Sequence, residues 1–146
     1  MIIYTIFDVK MPVFPKRKIS GWIKQVADKY QRQIGDVTFI FCSEKKIIEI
    51  NRQYLNHDCF TDIITFDYTD KTKISGDLFI CIETVRSNAY KYNAFFTDEL
   101  YRVMIHGILH LCGIDDKSAK ERKHMKYCED KALTSLVSLI GNNNYT

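Results

Sequence analysis

Two histidines with three residues between them, His106 and His110, are the strongest sign of chemistry in this sequence. They stand in the string HGILHLCGIDD, which begins at His106. Side chains four positions apart on an α-helix project from the same face, so both imidazoles can bind one metal ion. Gly113 can end this helix and allow the chain to reverse, which would bring an aspartate back towards the histidines as a third ligand. By spacing alone, that aspartate is either Asp115 or Asp116.

Two imidazoles and one carboxylate form a ligand set that suits a single Zn²⁺ ion. Three protein ligands leave one tetrahedral position for water, which is the arrangement of a catalytic zinc site and not of a structural one. The competing interpretation is that His106 and His110 are ordinary polar groups on a packed helix, because most of their neighbours are apolar. The pair followed by a glycine and a further candidate ligand favours the metal site.

The pattern of apolar residues predicts the strands and helices that must position this site. Strands are expected at residues 2–7, 37–42, 62–68 and 74–82, and helices from residue 16 to before residue 35 and at 44–55, 83–93, 97–112 and 118–140. The polar run at residues 69–73 is short enough to join two strands as an antiparallel hairpin. Ser118 and Glu121 have the spacing of a capping box. The expected fold class is α+β, a small mixed β-sheet packed by helices, with the metal-binding helix in the C-terminal half.

Length and composition bound the class of protein. The chain has 146 residues, 46% of them hydrophobic, which suits a single domain over residues 1–146. No apolar run approaches the roughly 20 residues of a membrane-spanning helix, and the N-terminus lacks the order of a secretory signal, so we expect a cytoplasmic protein without membrane contact. The five cysteines contain no Cys-x-x-Cys pair, which fits reduced thiols. A formal charge of +3 favours a polyanionic partner without identifying one.

Three segments together resemble the YbeY family of single-strand-specific, zinc-dependent endoribonucleases: HGILHLCGIDD, INRQYLNHDCFTDIITF at residues 50–66, and GDLFICIETV at residues 76–85. The family is associated with maturation of the 3′ end of small-subunit (16S) ribosomal RNA and with ribosome quality control. The resemblance implies that His106 and His110 are metal ligands, and that Asp116 stands where the family has a third histidine. These three residues would then be catalytic through one bound zinc ion. The implied partners are single-stranded RNA, ribosomal RNA, the small ribosomal subunit and ribosome-assembly factors.

The sequence departs from the family pattern in the middle motif. The family has an arginine suited to phosphate shortly after its Leu-Asn pair, whereas the aligned residue here is Leu55. Candidate substitutes for binding RNA phosphate are Arg52, His57 and Arg86. In the third segment, Gly76 is equally explained as a turn residue before a buried strand.

Two other functions fit parts of the pattern. A zinc protease has a similar ligand spacing, but its general base is a glutamate directly after the first histidine, and this chain has Gly107 there. A non-catalytic module would use the metal only for stability and would bind ribosomal RNA or an assembly factor. Its contact surface would be a set of basic residues that follows the metal motif, namely Lys117, Lys120, Arg122, Lys123, Lys126 and Lys131. His124, a lone histidine in this charged segment, is expected to be solvated.

Overall fold

A four-stranded mixed sheet forms the centre of the structure, which is a computed structural model that describes residues 1–55 and 61–140. The strands are β1 (Ile2–Phe7), β2 (Gln33–Cys42), β3 (Ile63–Asp67) and β4 (Lys73–Cys81), in the spatial order β1-β2-β4-β3. β1, β2 and β4 run parallel, and β3 pairs antiparallel with β4. The hairpin expected between the third and fourth strands is therefore confirmed, and β3 and β1 are the two edges of the sheet.

In the described parts of the chain, five α-helices surround the sheet, and they confirm the α+β class. They are α1 (Lys16–Lys29), α2 (Glu44–Ile50), α3 (Ile82–Lys91), α4 (Phe96–Leu111) and α5 (Ala119–Ile140). No helix among the described residues is long and apolar enough to span a membrane.

Two element boundaries differ from the sequence prediction by more than two residues, for local reasons. β2 begins at Gln33 and not near residue 37, because the strand passes through Gly35 with a shift in register between Ile34 and Val37. The second helix does not stay α-helical to Leu55, because α2 ends at Ile50 and a π-helical turn follows over Asn51–Leu55. Such wider turns are often found beside functional sites.

The sheet buries both of its faces, but unequally. Its larger core is shared with α1, α4 and α5 and contains residues such as Trp22, Phe39 and Leu78. The indole Nε1 of Trp22 donates a hydrogen bond to the carbonyl of Ala132 at 2.8 Å, which joins α1 to α5. A smaller core on the other face is built around Ile47, where α2 covers the sheet.

Helix α4 packs very closely against the sheet at Gly107. A Cβ at this position would lie 2.8 Å from Cδ1 of Ile63 and 3.2 Å from both Cδ atoms of Leu78. Position 107 therefore faces the apolar core between β3 and β4. Because neighbouring residues on an α-helix point about 100° apart, His106 is directed away from this contact and is only partly buried.

Candidate metal centre and its cleft

The chain reverses direction after α4 at Gly113, as the sequence predicts. Gly113 has a φ angle of +99°, which a residue with a side chain adopts only at a cost. The amide of Gly113 donates to the carbonyl of His110, and the amide of Ile114 donates to the carbonyl of Leu109, each at 3.0 Å. These bonds satisfy carbonyls at the helix end and fold the following residues back over α4.

The start of α5 fixes the other end of this reversal. The Glu121 amide donates to the Ser118 hydroxyl at 3.1 Å, and the Ser118 amide donates to the Glu121 carboxylate at 2.9 Å. This is the reciprocal capping box that the sequence predicts. Asp116 is thus held between two fixed helix ends.

Three side chains converge at this point: His106, His110 and Asp116. One oxygen of the Asp116 carboxylate lies 3.3 Å from Nε2 of His106, and the other lies 3.2 Å from Nε2 of His110. The donor atoms of the group all lie within 4.8 Å of one another. Among the described residues, this is the one group of at least three histidine, cysteine, aspartate or glutamate side chains that could hold a metal ion. Asp115 lines the same cleft, but it is exposed and does not belong to the group.

The donor set fits a zinc ion in its chemistry as well as in its spacing. Two imidazole nitrogens and a carboxylate oxygen are preferred Zn²⁺ ligands. Nδ1 of His106 lies 2.6 Å from Oε2 of Glu129, so this nitrogen is already engaged on the side away from Asp116. A carboxylate bonded to Nδ1 places the proton there and leaves the Nε2 lone pair available to a metal ion.

A partly buried ion-pair chain supports the Glu129 carboxylate. Nη1 of Arg102 donates to the second Glu129 oxygen at 2.8 Å, and Nη2 donates to Asp130 at 2.7 Å. The Glu129 side chain is only 10% exposed, so its charge needs these partners. The pKa of Arg102 is raised, since its hydrogen bonds to Asp130 and Glu129 outweigh the opposing effect of burial. Burial opposes a rise in the pKa of His106, but the hydrogen bond to Glu129 and the charges of Glu129, Asp116 and Asp62 together outweigh it, so this pKa is raised as well.

The group opens into a cleft of about 760 Å³ between α4, β3, the π-helical turn, α5 and the turn that precedes α5. Carboxylates dominate the lining, which includes Asp62, Asp67, Glu99, Asp115, Asp116 and Glu129. Burial raises the pKa of Asp62, although the nearby His106 partly offsets the shift. Burial also raises the pKa of Glu99, and the charges of Asp62 and Glu129 add to that effect. The cleft therefore concentrates negative charge at a cost in stability.

Removal of one of these charges should stabilise the protein when no metal is bound. The folded-state pKa of Glu99 is raised, so its ionised form is disfavoured by folding at neutral pH. Below the unfolded-state pKa the carboxyl is protonated in both states, and this cost disappears. We therefore expect Glu99→Gln to increase the free energy of unfolding of the EDTA-treated protein at pH 7, and the gain to vanish at about pH 4. Urea denaturation at both pH values measures the change in the free energy of unfolding, and Asp28→Asn, at an exposed position, is the control. An equal gain in the two variants would contradict a specific cost of the Glu99 charge.

None of the three predicted RNA-binding residues is found in the described lining of the cleft. Two of them lie elsewhere in the structure, and the third lies outside the described residues. Arg52 is exposed on the π-helical turn and does not line the cleft. Arg86 lies over the ring of Phe96, with 5.1 Å from its guanidinium carbon to the ring centroid. His57 lies outside the described residues. Leu55, at the position of the family's arginine, does line the cleft and is 44% exposed.

Sequence reasoning missed Glu129 and Arg102, although both left a signal. The buried face of α5 includes Met125, Cys128, Glu129, Ala132 and Leu136, at the three- and four-residue spacing of a packed helix. A glutamate in that apolar series requires a partner. Arg102 precedes His106 by one helical turn, so it projects from the same side of α4.

Comparisons with known proteins found relatives that match most of this chain. A family model described as "Endoribonuclease YbeY" matches residues 7–137. The endoribonuclease YbeY of Phocaeicola vulgatus is 55% identical over 139 residues, which cover 95% of this chain and 100% of the relative. That of Parabacteroides distasonis is 54% identical over 135 residues, which cover 92% and 95%. The solution structure of TM1509 from Thermotoga maritima has a TM-score of 0.65 at 28% identity and covers 93% of this chain and 89% of that one.

Proposed function

Because this chain belongs to the endoribonuclease YbeY family, we propose that it is a zinc-dependent enzyme that cleaves single-stranded RNA internally. The observation that carries this proposal is the group of His106, His110 and Asp116 in the lining of an open cleft. A structural metal site would be closed by a fourth protein ligand, whereas these three donors face a space large enough for substrate. We also propose that residues 1–146 act as one catalytic domain, since distant parts of the chain line the same cleft.

The residues of the cleft have different roles in the proposed reaction. His106, His110 and Asp116 would hold the ion, and Glu129 orients the His106 ring through Nδ1. When bound, zinc supplies Lewis acidity that stabilises the charge developing on a phosphoryl oxygen during phosphodiester cleavage. Asp62 and Glu99 lie in the same cleft, and their raised pKa values make them suited to hold or move a proton there.

The family resemblance supports a finer proposal for the substrate. We propose that the RNA is ribosomal RNA of the small subunit, cleaved during maturation of its 3′ end, and that the enzyme works in the cytoplasm with the ribosome and its assembly factors. Single-stranded RNA suits the cleft because unpaired nucleotides can splay into a groove that an A-form duplex cannot enter.

A zinc protease is a weaker candidate for a structural reason. The general base of such an enzyme stands directly after the first histidine, and that position is Gly107 in this chain. A side chain at position 107 would point at Ile63 and Leu78 in the core and not into the cleft. The site therefore has no room for that base. A purely structural metal is also disfavoured, because all three donor side chains are partly exposed to the cleft.

The proposal is tested with the intact protein and two forms of one RNA. We expect cleavage of a single-stranded oligoribonucleotide to be lost after treatment with EDTA and restored by one equivalent of Zn²⁺, while the same strand in a duplex is cleaved at least about tenfold more slowly. Gel analysis of end-labelled RNA measures both. Cleavage that survives complete metal removal would contradict the metal-dependent mechanism.

A further inference from the structure

The acidic lining of the cleft poses a problem for an enzyme that binds a polyanion. Six carboxylate side chains line it, from Asp62, Asp67, Glu99, Asp115, Asp116 and Glu129, and one bound zinc ion would neutralise two of those charges. Among the described residues of the lining, Arg102 is the one lysine or arginine, and it is paired with Glu129 and Asp130. RNA binding depends on cations that neutralise phosphates. Those cations must lie at the border of the cleft.

The first turns of α5 place positive charge on the side of this helix that faces the cleft. Glu129 contacts His106 and so marks that side. At about 100° per residue, Arg122 lies roughly 20° and Lys126 roughly 60° around the helix axis from Glu129. Both are exposed, and Lys117 precedes them directly after Asp116.

We propose that Lys117, Arg122 and Lys126, here called the basic rim, bind the phosphate backbone of the RNA strand that enters the cleft. This role rests on the proposed function. The rim is continuous with the metal group, since Lys117 is the next residue after Asp116 and its carbonyl accepts a hydrogen bond of 2.6 Å from Nη1 of Arg122. That bond fixes the guanidinium beside the turn that carries Asp116. It uses one of the five donors of an arginine side chain and leaves others for phosphate.

The rim supplies the charge that the middle motif lacks. Leu55 lines the cleft but has no charge to offer a phosphate. Within the part of the chain that the structure describes, neither Arg122 nor Lys126 forms a salt bridge with a carboxylate. Their charges are therefore available to an anionic ligand.

Two lysines on the opposite face of α5 provide a matched control, because their charges face solvent and not the cleft. Lys120 and Lys131 lie roughly 180° and 160° around the axis from Glu129, on the opposite face of α5. Both are exposed. A double substitution there removes the same charge from the same helix without touching the rim.

The experiment compares Arg122→Gln/Lys126→Gln with Lys120→Gln/Lys131→Gln, each checked for equal zinc content. The probe is a fluorescent, nuclease-resistant single-stranded oligonucleotide (2′-O-methyl phosphorothioate), and anisotropy is followed over a series of salt concentrations. We expect the rim variant to bind roughly tenfold more weakly at low salt, with a salt slope smaller by about 1.4, the value for two phosphate contacts on a single strand. The control variant should stay within about twofold of the unaltered protein. Lys126→Gln alone, which leaves the bond between Arg122 and Lys117 intact, should produce about half of the change in slope.

Equal affinities for the rim and control variants would overturn the rim, whether both weaken or neither does. A KM for unmodified RNA that rises in the rim variant more than kcat falls would support it. Failure of the proposed function gives a different result, because the unaltered protein would then bind the probe through the rim and still not cleave unmodified RNA. Cleavage by all variants with unchanged KM would leave the proposed function standing and refute the rim.

Discussion

Replacement of His106 or His110 by alanine is expected to abolish both stoichiometric zinc binding and RNA cleavage. Each substitution removes one of three donors that lie within 4.8 Å of one another, and two remaining donors do not form a stable tetrahedral zinc site. Asp116→Asn should have the same direction of effect, because a neutral amide oxygen is a poorer zinc ligand than a carboxylate. Elemental analysis after gel filtration measures the zinc, and a single-stranded RNA assay measures cleavage.

Two matched variants make this result specific. His124 is exposed on α5, where its ring stacks on Tyr127 at a centroid distance of 6.4 Å, so His124→Ala should retain both zinc and cleavage. Asp115→Asn should retain zinc, because Asp115 lies outside the donor group. Full zinc occupancy in His106→Ala and His110→Ala would refute the site. Loss of zinc in Asp115→Asn with retention in Asp116→Asn would assign the third ligand to Asp115.

The sequence predicted those parts of the site that depend on local geometry. The spacing of His106 and His110 needs only the helical repeat to place them on one face, and Gly113 needs only its own backbone to reverse the chain. The capping box at Ser118 is local in the same way. The residues within each of these features lie within about one helical turn of one another, so the sequence contains nearly all the information that determines them.

The remaining parts depend on contacts between distant elements. His106 meets Glu129 across 23 positions of sequence, and this contact exists only because α5 packs back along α4. Gly76 shows the same effect. It fits a turn residue by type, but it lies inside β4, where a Cβ would collide with the carbonyl oxygen of Phe66 on β3. Neither neighbour can be inferred from the residues next to it in sequence.

Glu129 is expected to be a positioning residue, and Glu129→Gln should weaken zinc binding by about 10- to 100-fold, as loss of such outer ligand partners usually does. The carboxylate accepts from His106 with one oxygen and from Arg102 with the other. A glutamine of the same size can satisfy only one of these two donors, because its amide nitrogen is itself a donor. The His106 ring would then lose its orientation, or the partly buried Arg102 would lose a partner.

Asp130→Asn is the matched control for that result, since it removes the other carboxylate of Arg102 and leaves the bond between Glu129 and His106 in place. Its zinc affinity should remain within about threefold of that of the unaltered protein. Competition with a chromophoric chelator gives the zinc dissociation constants, and the visible absorption of the Co²⁺-substituted protein reports ligand geometry, which a general loss of stability would not change. We expect altered Co²⁺ absorption in Glu129→Gln and an unaltered spectrum in Asp130→Asn. Identical spectra and affinities in the two variants would mean that His106 is oriented by the packing of α4 alone.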